Sequence, residues 1–140
     1  MEQQIQRLNQ FQLQCQGNML LIKTDSNNTI ELDQSVIAFN RSLKTVLTDQ
    51  FDALKLTSSV SKLNYQCVVK KNRMTIRTVL KKVKRLIIVD LVSSKIFMDD
   101  KEVTSHKQQQ FVMAVITEIM KQTSHPKVSM ELIRDHKEGG

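Results

Sequence analysis

The chain has 140 residues, 40% of them apolar, 25% charged and only 4% aromatic, with a net charge of +7 and a sequence pI near 9.6. A chain of this size buries roughly two-thirds of its unfolded surface and has no room for two independent cores, so one domain over 1–140 is expected. No apolar run approaches the roughly 18–20 residues of a membrane-spanning helix, and MEQQIQRLNQ lacks the basic start and apolar stretch of a signal peptide, which predicts a cytoplasmic protein without membrane insertion.

Residues 1–10 place Ile5 and Leu8 at helical spacing among glutamines, the pattern of a short helix or a frayed N-terminal arm. Residues 11–16 then alternate strictly between apolar and polar, as a half-buried strand does. Gly17-Asn18 reads as a turn, 19–23 as a second strand, 25–28 as another turn and 29–32 as a third strand, so the chain opens with an antiparallel meander. From Asp33 the period changes. Val36, Phe39, Leu43, Val46, Leu47, Phe51 and Leu54 recur at three- and four-residue steps, predicting a helix over about 34–55, capped by Asp33 or Ser35 and open to a break at Thr48-Asp49.

After a loop marked by Ser58, Ser59 and Ser61, the segment 62–103 admits two readings. Leu63, Tyr65, Cys67 and Val69 alternate with polar residues, and Lys71-Asn72-Arg73 is a turn into the β-branched run 74–80. Ile76, Val79, Leu80, Val83, Leu86 and Ile87 also trace a helical stripe. Strands are the preferred reading, because Leu86-Ile87-Ile88-Val89 is a continuous apolar run suited to a central strand. Ser93-Ser94 reverses the chain into 95–98, and Asp99-Asp100-Lys101 ends that strand. Thr104 or Ser105 starts a long helix stopped by Pro126, with an edge strand near 128–132 and a solvated tail at 135–140. The predicted fold is α+β: an antiparallel sheet built from the N-terminal meander and a hairpin-rich central segment, with one mid-chain and one C-terminal helix packed on it.

Charge is distributed far from evenly. Between Asp52 and Asp90 no acidic residue occurs, and the 37 intervening positions hold ten basic ones, so this stretch carries +10 and the rest of the chain −3. Lys62, Lys70, Lys71, Arg73, Arg77, Lys81, Lys82, Lys84 and Arg85 are the candidate nucleic-acid-binding residues, dense enough to displace counterions from a phosphate backbone. The basic stretch contains one aromatic residue, Tyr65, which the alternation buries, and Phe11, Phe39, Phe51, Phe97 and Phe111 fit core positions. Duplex or backbone-dominated contact is therefore expected over base stacking. The expectation is a non-enzymatic nucleic-acid-binding or regulatory protein. Its alternatives are an adaptor or inhibitor, such as a phage or plasmid factor, docking its basic face on an acidic protein, and a solvated face that serves solubility.

Enzyme signatures are thin. Gly17 is the only glycine before the last two residues, which leaves no phosphate-cradling loop, and His106, His125 and His136 stand apart from any metal-ligand spacing. No cofactor, metal or catalytic set is expected. The remaining enzymatic reading is a nuclease in which Asp90 joins Asp99, Asp100 or Glu102 around a divalent ion. Cys15 and Cys67, 52 residues apart, read as two buried thiols in a reducing compartment. Finally, the C-terminal helix is apolar around much of its girth, so Phe111, Val112, Ile116 and Met120 are the candidate surface for a homodimer.

Overall fold

Turn chemistry organises the sheet. In the computed structural model, which describes residues 11–24, 27–51 and 63–125, β1 (Phe11–Gln16) and β2 (Met19–Thr24) are joined by Gly17-Asn18, with Gly17 at φ 58° in the first turn position. A left-handed first residue is what the II′ hairpin turn needs, and glycine takes it without a Cβ clash. β3 (Thr29–Leu32) pairs antiparallel with β2 and completes the meander. The N-terminal arm, the helix end beyond residue 51, Lys62, the edge strand near 128–132 and the tail lie outside the described residues.

Helix α1 (Val36–Phe51) runs unbroken through Thr48-Asp49, its Thr48 hydroxyl donating back to the Lys44 carbonyl at 2.9 Å. Ser35 is its cap, accepting the Ala38 N–H at 3.1 Å. Asp33 bonds elsewhere, its carboxylate accepting the Lys71 N–H at 2.8 Å while its own N–H donates to the Val69 carbonyl.

The central segment is all strand. β4 (Asn64–Lys70), β5 (Arg73–Leu80) and β6 (Val83–Asp90) form two consecutive hairpins, followed by β7 (Ile96–Met98) and the two-residue β8 (Lys101–Glu102). The last element is α2 (His106–Thr123), whose cap Ser105 accepts the Gln108 N–H at 3.2 Å. The meander and the central hairpins are one sheet: β3 and β4 pair in parallel, with α1 as the crossover, so eight strands lie in chain order β1 to β8. Every other neighbouring pair is antiparallel.

Both helices cover the same face. Ile22, Ile30, Cys67, Ile76, Ile87 and Val89 of the sheet are fully buried with Phe39, Leu43 and Val46 of α1 and Val112, Val115, Ile116 and Ile119 of α2. The helices are tied to each other where the Thr123 hydroxyl donates to Asn40 Oδ1 at 2.7 Å. All apolar side chains of α2 are buried or half-buried within the single chain. Val112 and Ile116, put forward as dimer contacts, are core residues, and Phe111 and Met120 are half-buried against the same core. The girth of this helix needs no second copy to cover it. No described helix is long and apolar enough to cross a membrane.

Two sequence expectations about burial are corrected. Cys15 is exposed, although Cys67 is fully buried, and neither forms a disulfide. Cys15 stands opposite Leu20 and so faces the helix side, but β1 is the sheet edge, where the cover thins. Phe97 is not a core residue either: its neighbours Ile96 and Met98 point to the helices, so Phe97 stands half-buried on the opposite, open face. Phe39 and Phe51 are buried as expected, and Phe111 packs against the core; the side chain of Phe11 lies outside those described.

Tyr65 is 3% exposed, and its hydroxyl is buried with no hydrogen-bond partner among the described residues. Burial, with Cys67 and Glu118 nearby, pushes the phenol well above its ordinary range. An unpaired buried hydroxyl carries a desolvation penalty that no bond offsets. Tyr65→Phe is therefore expected to stabilise the fold by about 1 kcal/mol, read as a higher urea midpoint at unchanged slope.

Candidate functional site

Strand alternation decides which basic side chains can act together. On β5, Met74, Ile76 and Thr78 are buried under the helices, which turns Arg73, Thr75, Arg77 and Val79 to the open face. Register then extends that face sideways. Lys23, Thr29, Gln66, Arg77 and Leu86 stand in one row across five strands, and Leu21, Glu31, Val68, Thr75, Ile88, Phe97 and Glu102 in the next. Lys70, Arg73 and Asp90 form a third row, and Asn64, Val79 and Lys84 lie toward the other end. The middle row joins the half-buried apolar residues Leu21, Val68, Ile88 and Phe97 with Thr75, a half-buried Glu31 and an exposed Glu102. Both flanks carry exposed cations: Lys23, Arg77 and Lys84 on one side, Lys70 and Arg73 on the other.

Seven of the nine basic residues expected to act as one patch are thus distributed over three places, and Arg85, in register with Thr78, turns to the helix side. Lys70, Arg73, Arg77 and Lys84 share the open face. Lys71 sits in the β4–β5 turn and Lys81 and Lys82 in the β5–β6 turn, at opposite ends of a strand that spans roughly 26 Å. Arg85 is partly engaged, because its guanidinium meets the Asp99 carboxylate at 2.8 Å. Lys62 lies outside the described residues. Sequence reasoning missed Lys23, which joins the face only because β2 and β5 belong to one sheet.

The flank nearer the β4–β5 turn is diluted by acid. Arg73 is paired in register with Asp90, whose carboxyl is held below its usual range by backbone N–H groups of Ser93 and Val92, with Arg73 adding a smaller pull. The other flank is cleaner. There a hollow of about 550 Å³ is lined by Gln66, Arg77 and Lys84 of the open face together with Thr78 and the ion-paired Arg85 and Asp99. Asp99 accepts the Leu86 N–H at 3.0 Å and the Arg85 Nη1–H, and these bonds hold it below the usual carboxylate range. Arg77, Lys81, Lys82 and Lys84 face no carboxylate within ion-pair distance among the described residues.

The β5–β6 turn contains a local conflict. Lys81 and Lys82 lie at φ 51° and 67°, and Lys71 and Asn72 at 53° and 64°. Two left-handed residues are what a I′ hairpin requires, and Asn-Gly meets that need with the least strain, whereas for a lysine the Cβ costs about 1 kcal/mol. Two lysines stand where turn geometry alone would select other residues. The double substitution Lys81→Asn with Lys82→Gly is expected to raise stability by about 1–2 kcal/mol while weakening polyanion binding several-fold, measured by denaturation and by titration of one preparation.

The carboxylates considered for a divalent ion are not brought together. Asp99 lies against Leu86 and Asp90 against Lys95, four positions apart along β6 and so roughly 13 Å distant. Asp90 is instead engaged by the Val92 and Ser93 N–H groups of its own corner, and Asp99 by the Leu86 N–H of the neighbouring strand β6 and by Arg85. Among the described residues, no three His, Cys, Asp or Glu side chains are grouped to hold a metal ion. Compared with models of protein families, with curated proteins and with solved structures, the chain matches none.

Proposed function

We propose that this protein is a non-enzymatic nucleic-acid-binding protein that lays a single strand across the open face of its sheet. Phosphates would rest on Lys23, Arg77 and Lys84 along one flank and on Lys70 and Arg73 along the other, with sugars and bases over Val68, Ile88 and Phe97. The observation that carries this reading is the gathering of five cations on the one sheet face that no described helix covers, on either side of a row in which Leu21, Val68, Ile88 and Phe97 outnumber Glu31 and Glu102.

Two features favour a strand over the duplex expected from sequence. An eight-stranded sheet is roughly 34 Å wide, far broader than a major groove of about 12 Å, so the face can lie along a backbone but cannot enter a groove. Phe97 on the open face also supplies an aromatic surface, where the sequence pattern alone assigns it to the core. The test is a titration of labelled single-stranded and duplex oligonucleotides of one sequence at several salt concentrations. The expected result is tighter binding of the single strand, with log K falling linearly in log salt. No binding at low salt overturns the proposal, as does one stoichiometric acidic protein retained by the chain through nuclease treatment.

A further inference from the structure

The helix side of the β5–β6 hairpin carries a second cavity, separate from the open face. A groove of about 730 Å³ runs between the underside of the hairpin tip and the first turns of α2. Its floor is apolar, made by Leu80, Val83, Met98 and Phe111, and Val83 is 49% exposed. Its charged rim is cationic throughout: Lys81 from the turn, Lys107 from the helix and Arg85 from β6, with no carboxylate among the lining residues. The volume lies in the range of small-molecule sites, and an apolar floor with a few convergent charges is their usual make-up.

We infer that this groove binds a single anionic amphiphile, an alkyl chain ending in a phosphate or carboxylate. Charge complementarity selects the head group. Lys81 and Lys107 reach the groove from opposite walls, and Asp99, the carboxylate paired with Arg85, lies outside it. Lys107 also stands in the first turn of α2, which has no acidic residue, although the free amides of a helix start favour negative charge there. An anion seated between the walls satisfies both lysines and the helix end. The floor selects the rest of the ligand, since a bare phosphate leaves Leu80, Val83 and Phe111 wet, whereas an alkyl chain removes them from water.

The experiment follows amide resonances of the whole chain during titration with alkyl phosphates of increasing length, below their micelle concentrations. Shifts are expected at 80–85, 98 and 105–111, with affinity rising roughly three- to fourfold per added methylene. Lys107→Glu should weaken octyl phosphate at least tenfold and leave oligonucleotide binding on the open face unchanged, and Phe111→Ala should flatten the dependence on chain length. Inorganic phosphate binding as tightly as octyl phosphate overturns the inference, and so does octyl glucoside binding equally well. Binding to phosphatidylglycerol vesicles without binding of the monomeric phosphate overturns it too, because the site would then be a membrane-facing patch. Lys107→Glu is an exposed substitution, and an otherwise unchanged amide spectrum shows that the variant is folded.

Discussion

Reversing Arg77 and Lys84 together to glutamate is expected to weaken single-strand binding at least a hundredfold and to reduce the salt slope by about 1.4, two phosphate contacts at about 0.7 each. Both side chains are exposed on the open face and line the same hollow, where no carboxylate other than Asp99 competes for them. Each substitution removes a counterion-releasing contact and adds repulsion at the same place. Stability should change by no more than about 0.5 kcal/mol, because neither residue is buried or ion-paired. The informative control is Arg41→Glu with Lys44→Glu, an equal change in net charge on exposed positions of α1, on the far side of the sheet. If that pair weakens binding as much as the first, the attraction belongs to the whole molecule and the open face is not the site.

Local patterns make most of the elements legible without the structure. The alternation over 11–16, the Gly17-Asn18 turn, the helix from residue 36 and the cap at Ser105 each express a rule confined to a few neighbouring residues. The helix-like stripe through 76–87 has a simple origin. A two-residue hairpin turn separates the inward positions Leu80 and Val83 by three residues, so inward residues of two consecutive strands, 76, 80, 83 and 87, fall at helical spacing. Only the β-branched and continuous apolar character of 86–89 breaks the tie. Phe97 escapes the pattern for a related reason: in Ile96-Phe97-Met98 all three residues are apolar, because the open face is apolar there too, and alternation leaves no mark. The basic segment is visible as charge, yet its division between an open face and two turns depends on register, and Lys23 depends on a strand pairing distant in sequence.

That pairing, β3 with β4, is the part of the fold no local pattern announces, and the residue that secures its entry is Asn28. Asn28 precedes β3, is 8% exposed, and uses its side chain as a backbone surrogate: Oδ1 accepts the Tyr65 N–H at 2.9 Å and Nδ2 donates to the Leu63 carbonyl at 3.3 Å. Asp33 holds the other end of the pair, so the parallel junction is clamped at both ends across 35–38 residues of sequence. Asn28→Ala leaves a buried N–H and a carbonyl unpaired beside Tyr65, and is expected to cost about 2–4 kcal/mol, lowering the melting temperature by about 10 °C. Asn28→Asp separates the two bonds. It keeps an acceptor for Tyr65 N–H but sets a carboxylate against the Leu63 carbonyl, so its loss should grow with pH as the side chain ionises and shrink as protonation restores a donor. Thermal melts of the two variants at low and neutral pH measure both effects. A melting temperature unchanged by Asn28→Ala would mean that the β3–β4 pairing and the cover of α1 and α2 hold the two halves of the sheet without this clamp.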